Sequence, residues 1–315
     1  MLKTLAALLL SVPLAVLAQF PGKPIRVIVP FPAGSSTDTI TRILANSVSQ
    51  SMGQPVVVEN KAGADGAIAA AEVAKAPPDG YTLLMATNSP MSAVPAMKKS
   101  PPYDPVADFT PITDVGRYTF FIVVHPSVPA KTLAELIDYA RANPGKLNYA
   151  TGNTTGIVST AFFASQAQIK LVHVPYKGEP QAITDLIAGR VQLMFSSSGT
   201  TVPHVREGRL RALVTTLPRR SGTLPEVPTI AEAGMPQFSI TSWAGLFGPA
   251  KLPREVLERL NREFVAAMGR ADVQAAMEKQ AFALSPSSPD QLAAFVKEQM
   301  ESYRRTLRAA GVEPE

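Results

Sequence analysis

Cysteine is absent from all 315 residues, which excludes disulfides, thiolate catalysis and Cys-based zinc sites. Histidine occurs only three times, as His125, His173 and His204. None falls in an HExxH spacing, and each reads as structural. Tryptophan is represented by Trp243 alone. No apolar run reaches the ~20 residues of a membrane-spanning helix. Charge is not concentrated either: the net excess is +5, spread along the chain with no basic stripe or aromatic–basic interleaving, so nucleic acid is excluded as a partner. A GxSxG elbow, a Walker loop and a strand-following GxGxxG are all missing. No metal or cofactor is expected.

The first 18 residues are a secretory leader: Lys3, an apolar stretch from Leu5 to Leu17, and a cleavage site after Ala18 with Val16 three residues before the cut. The expected mature chain is exported, periplasmic and soluble. Its 297 residues carry +4 and suffice for two lobes at ~100–200 residues each.

The most informative positive feature is a repeated unit: an apolar strand, a loop of small hydroxyl residues with glycine, and a helix start. The first copy is RVIVPF-PAGSSTD-TITRILANSVSQ from Arg26 to Gln50; the second is KLNYA-TGNTTG-IVSTAFFASQ from Lys146 to Gln166. A helix N-terminus leaves backbone N–H groups unpaired and carries partial positive charge, so it accepts an anion without Arg or Lys. Gly34 and Gly152 permit close backbone approach, and Ser35, Ser36, Thr37, Thr154 and Thr155 add hydroxyl donors. Ordinary N-capping uses the same residues, and for either loop alone it suffices. One such loop in each half is what points to a shared ligand.

Around these units, strand-like runs alternate with helix-period segments. IRVIVPF, PVVVEN and YTLLMAT form one series; FFIVVHP, LNYAT, LVHVPY, VQLMFSSS and RLRALVTT form another. The alternation predicts βαβ units and hence two α/β lobes, each with a mostly parallel sheet flanked by helices. The 29 prolines sit mainly at joins. The chain ends in helices, the last opening at Ser288-Pro289-Asp290. The expected organisation is lobe 1 from 19–120 plus 240–315, lobe 2 from 121–239, and two crossings that make a hinged clamp. Asn88, at the end of YTLLMAT, is either a cleft residue at a strand's carboxyl end or a turn residue. Trp243 either walls the cleft or is a core aromatic beside Phe247.

The segments KPIRVIVPFPAGSSTDTITRIL, GQPVVVENKAGADGAIAAAEVAKAPPDGYTLLMAT, PYDPVADFTPI, VVHPSVPAKTLAELIDYARANPGKLNYATGN, VHVPYKG, PTIAEAG and SWAGLFGPA resemble, in order and over nearly the whole mature chain, the periplasmic substrate-binding proteins of tripartite tricarboxylate transporters, the Bug family. The resemblance implies a two-lobed type II periplasmic-binding-protein fold with a small carboxylate in the inter-lobe cleft, a typically monomeric receptor, and delivery to membrane permease subunits. It assigns carboxylate binding to Ala33, Gly34, Ser35, Ser36, Thr37 and Asp38, with Gly152, Asn153, Thr154 and Thr155 facing them. The family commonly has a second Gly where Ser35 stands and Asp-Asn where Ser196 and Ser197 stand. An uncharged Ser196 removes a natural partner for a substrate amine, so a plain carboxylate or dicarboxylate, aliphatic or aromatic, is expected rather than an amino acid. The competing readings are a periplasmic sensor that signals to a membrane kinase and, less favoured, a secreted hydrolase; the expectation is a binding protein without enzymatic activity.

Overall fold

The computed structural model describes residues 20–309 except 239 and 241; the predicted leader lies outside the described residues. The β-branched run of β1 (Ile25–Val29) is followed by α1 (Ser36–Met52), β2 (Val56–Asn60), α2 (Ala67–Ala74), β3 (Thr82–Thr87), the short α3 (Val94–Met97) and the long β4 (Phe109–Tyr118). The second series comprises β5 (Phe120–Val124), α4 (Leu133–Ala142), β6 (Asn148–Thr151), α5 (Thr154–Ala167), β7 (Val172–Pro175), α6 (Glu179–Ile187), β8 (Leu193–Ser197), α7 (Ser198–Arg206) and β9 (Arg211–Thr215). The chain then returns through β10 (Trp243–Pro249), α8 (Arg254–Met268), α9 (Ala271–Lys279), β11 (Phe282–Leu284) and α10 (Pro289–Ala309).

Local chemistry sets the helix ends. Ser35 caps α1, its hydroxyl accepting from Asp38 N–H at 3.3 Å, and Gly53 ends it in the left-handed region. At α10, Ser288 and Gln291 exchange reciprocal bonds of 2.9 and 3.2 Å, a capping box.

Two sheets result, one of order β11-β4-β10-β3-β1-β2 and one of order β7-β6-β8-β5-β9. Both are mixed rather than mostly parallel. β2-β1-β3 and β7-β6-β8 are parallel, whereas β10 runs antiparallel to β3 and β4, β11 to β4, and β5 to β8 and β9. Crossover helices impose parallel pairing on the βαβ segments; β5 and β10, which enter from the other half without a crossover, pair antiparallel, and β11 turns back antiparallel to β4 within its own half.

The passages between the sheets lie side by side. One is Thr119, between β4 and β5; the other precedes β10, and Tyr118 N–H donates to Ser242 C=O across them at 3.0 Å. Ser198 N–H donates to Thr119 C=O at 2.8 Å, and the Thr119 hydroxyl donates to Ala281 C=O at 2.7 Å. These bonds tie both crossings to the start of α7 and the approach to β11, so relative motion of the halves pivots on few residues. No helix among the described residues is long and apolar enough to cross a membrane.

Candidate functional site

β1 and β6 run into their loops at the same side of their sheets, and this brings the starts of α1 and α5 to one cavity between the two halves. The space between the halves measures about 380 Å³, part of it open to solvent. Lobe 1 contributes Phe31, Ser35, Ser36 and Thr37 from the first loop, then Thr87, Asn88 and Ser89 after β3. Lobe 2 contributes Gly152, Asn153 and Thr155 from the second loop together with Glu179 and Ser197, while Tyr118, Phe120 and Ser242 close the hinge side.

Hydroxyls meet across the cleft. Ser36 Oγ lies 2.7 Å from Ser197 Oγ. Asn88 Nδ2 donates to Thr155 Oγ1 at 2.6 Å, and Ser89 Oγ lies 3.1 Å from the same Thr155 oxygen. Asn88 Nδ2 also meets the Tyr303 hydroxyl of α10, and its Oδ1 accepts from Ser242 Oγ and Trp243 N–H, each at 3.3 Å. Asn88 is therefore a cleft residue wired to three elements. Burial, opposed by these hydrogen bonds, pushes the Tyr303 phenol up to about 12, so it remains neutral while its oxygen accepts from Asn88.

The two loops are built differently. In the first, Asp38 points away from the cavity: it accepts from Gly34 N–H at 3.0 Å and from Arg42 Nε and Asn60 Nδ2 at 2.9 Å each. Burial raises its pKa, but Arg42, Gly34 and Asn60 outweigh it and hold the carboxyl below the ordinary value. Ala33, Gly34 and Asp38 thus shape the loop without lining the cavity. In the second, Asn153 caps α5 through Gly156 N–H at 2.9 Å. Thr154 and Thr155 are both buried; Thr155 faces the cleft, and Thr154 Oγ1 lies off the cavity wall without a protein partner.

Two expected residues are displaced. The Trp243 ring is fully buried among Phe247, Phe295 and Leu292, off the cavity wall; only its backbone N–H serves the site, through Asn88. Its neighbour Ser242 faces the cavity instead, because successive strand positions alternate. The same alternation removes Ser196, whose hydroxyl turns to Thr200 at 3.2 Å, and puts Ser197 in the wall. Ser92 and Ser198 are buried off the wall with no protein partner for their hydroxyls.

Glu179 alters the expected chemistry. It starts α6 after Gly178, in a third strand-loop-helix unit (VHVPYKGEP), and that recurrence is the signal that could have found it. The residue is 6% exposed. Its carboxyl accepts from Ser197 N–H at 3.3 Å, from Thr200 Oγ1 at 3.1 Å and from the Ser197 hydroxyl. Burial pushes its pKa up, against the bonds from Ser197, Thr200 and Asn153. The wall thus carries a carboxyl, brought by the start of α6 rather than by position 196.

Outside the cavity, a groove that shares Phe31, Gly152 and Asn153 opens between Gly63–Gly66 and Pro175–Lys177.

Two α/β halves joined by paired crossings, with helix starts and hydroxyls facing one internal cavity, define a two-lobed solute-binding protein. The family described as tripartite tricarboxylate transporter family receptor matches residues 40–312, and the chain belongs to it. Among curated relatives, it is 39% identical over 295 residues to the UPF0065 protein in the tcbD-tcbE intergenic region of Pseudomonas sp. strain P51, covering 92% of this chain and 87% of that protein. It is 33% identical to Protein BugT of Bordetella pertussis, covering 93% and 90%. Solved structures with the same fold include Rpa4515 of R. palustris with adipate, at 32% identity and TM-score 0.91, covering 94% and 100%. MatC of Rhodopseudomonas palustris with bound malate matches at 30% identity and TM-score 0.87, covering 91% and 100%.

Proposed function

We propose that this chain is a periplasmic receptor that binds a small organic carboxylate between its lobes and delivers it to the membrane subunits of a tripartite tricarboxylate-type transporter. The observation that carries this is the convergence of the α1 and α5 starts on one internal cavity walled by Ser35, Ser36, Asn88, Asn153 and Thr155. Backbone N–H groups and hydroxyls aimed into a closed, low-dielectric space hold carboxylate oxygens without an arginine. Relatives of the same fold carry adipate and malate, which supports the ligand class. Residues 19–120 with 240–315 would form one closing lobe and 121–239 the other, working as a monomer after removal of residues 1–18.

Closure is the mechanism. The open lobes admit the acid, the first loop takes its oxygens, and Thr155 and Ser197 complete the shell as lobe 2 swings in. Release of the ligand unchanged is the behaviour that membership of a receptor family supports. The test is a thermal-shift screen of the mature protein from Gln19 onward against mono-, di- and tricarboxylates, aromatic acids and amino acids. A hit at large excess over Kd raises the midpoint by several degrees. A screen in which no acid shifts the midpoint, or in which an ester is consumed, defeats the proposal.

A further inference from the structure

Among the described residues that line the cavity, Glu179 is the only charged one. Everything that reaches its carboxyl is neutral: Ser197 of β8, Thr200 of α7, Asn153 before α5, and Tyr118 of β4 nearby. None of the ion pairs formed among the described residues involves it. Burial already pushes this carboxyl toward its protonated form; ionised, it is costly without a cation opposite and repels a second anion brought against it. A cationic group on the ligand removes both costs at once.

Spacing narrows the class further. Ser36, at the start of α1, lies 2.7 Å from Ser197 Oγ, and that oxygen bonds directly to Glu179. The anion-accepting helix start and the Glu179 carboxylate are therefore two hydrogen bonds apart. An ammonium and a carboxylate carried close together on one ligand would face the two at once, with the Ser36–Ser197 bond opening to admit it.

We propose that Glu179 is the specificity-determining residue of the cleft and that it selects an amino acid, whose carboxylate lies at Ser36 and Thr155 while its ammonium sits on Glu179. This rests on the carboxylate-receptor reading above and reverses the preference for a plain diacid that Ser196 suggested.

The test is calorimetric titration of the mature protein near neutral pH with matched pairs: L-aspartate against succinate, L-glutamate against glutarate, L-alanine against propionate. At least one amino acid should bind tenfold or more tightly than its deaminated partner. Glu179→Gln should cut that affinity at least tenfold and shrink or reverse the amino acid's advantage over its deaminated partner, and Glu179→Asp should restore part of the preference. Wild-type protein that binds succinate or glutarate more tightly than the matched amino acid overturns the inference and leaves the receptor function standing, with no variant needed. A Gln variant that weakens both members of a pair equally also overturns it, because Glu179 would then only cap α7. Binding of no acid at all would sink both readings.

Discussion

The loop entering α1 and the loop entering α5 share a composition and divide their labour. The first turns its acidic residue inward, where Asp38 gathers Gly34, Arg42 and Asn60 and fixes the loop before any ligand arrives. The second holds no charge, and its Thr155 reaches Asn88 and Ser89 across the cleft. Both loops reach across the cleft, Ser36 to Ser197 and Thr155 to Asn88 and Ser89, but only the first is also braced by a buried charge within its own lobe. A single sequence pattern therefore yields a charge-braced loop and an uncharged one, distinguished by which side chains turn into their own lobe.

The glycines of the two loops should break this comparison most sharply. A Cβ at Gly152 would lie 2.3 Å from Glu179 N and 2.5 Å from Gly178 C, both backbone atoms. Gly152→Ala should therefore cost about 3 kcal/mol or more and abolish ligand-induced stabilisation in a thermal-shift assay. Gly34, with φ +80°, has nothing within 4 Å of that position; Gly34→Ala should cost only about 1 kcal/mol, from backbone strain.

Asp38→Ala comes next, because it leaves Gly34 N–H, Arg42 and Asn60 without their shared acceptor. Chemical denaturation should show a loss of about 2–3 kcal/mol. Thr155→Val keeps the shape and removes the bridging hydroxyl, so stability without ligand should change by less than about 1 kcal/mol. Ligand affinity, measured by calorimetry, should nevertheless fall about tenfold, the equivalent of one charge-assisted bond.

Acid titration separates the two carboxyls by sign. Asp38 is held below its ordinary value of 3.8, so its stabilisation is present above that pH and lost as pH falls through the lower folded value. Glu179 is pushed above its ordinary value of 4.5. Its ionisation therefore destabilises the ligand-free fold as pH rises from 4.5 through the raised value. Unfolding followed against pH should show Glu179→Gln more stable than the wild type above that window and unchanged below it, whereas Asp38→Asn should lose its deficit only in strong acid. The smallest effect expected is from Ser196→Ala, about 1 kcal/mol of stability with ligand affinity changed less than about threefold, because its hydroxyl reaches the site only through Thr200.

Much of the fold could be read from residue pattern, since β-branched runs, Gly stops and Ser or Thr caps act over a few positions. IRVIV, TLLMAT and FFIVV are the strands their composition predicts, and Ser35 and Asn153 cap helices where small polar residues precede apolar periodicity. Antiparallel β5 and β10 escaped, because their pairing direction depends on which lobe a strand enters from. The site divides the same way: Ser36, Thr155 and Asn88 were found from local rules, while Ser196 and Trp243 were each one position off the wall. Alternation on a strand is legible, but which face meets the cleft is not.

By itself, then, the sequence determined two α/β series, the two small-residue loops at helix starts, and the absence of thiols, clustered histidines and buried arginines in those loops. These are consequences of local backbone preference and composition. Only the tertiary structure decided that Asp38 serves its own loop, that Ser197 rather than Ser196 lines the cavity, and that Glu179, some 25 residues from the second loop, stands against it. Those outcomes depend on strand register and on helix starts meeting across a cleft, where a carboxyl's role is set by what has displaced water around it.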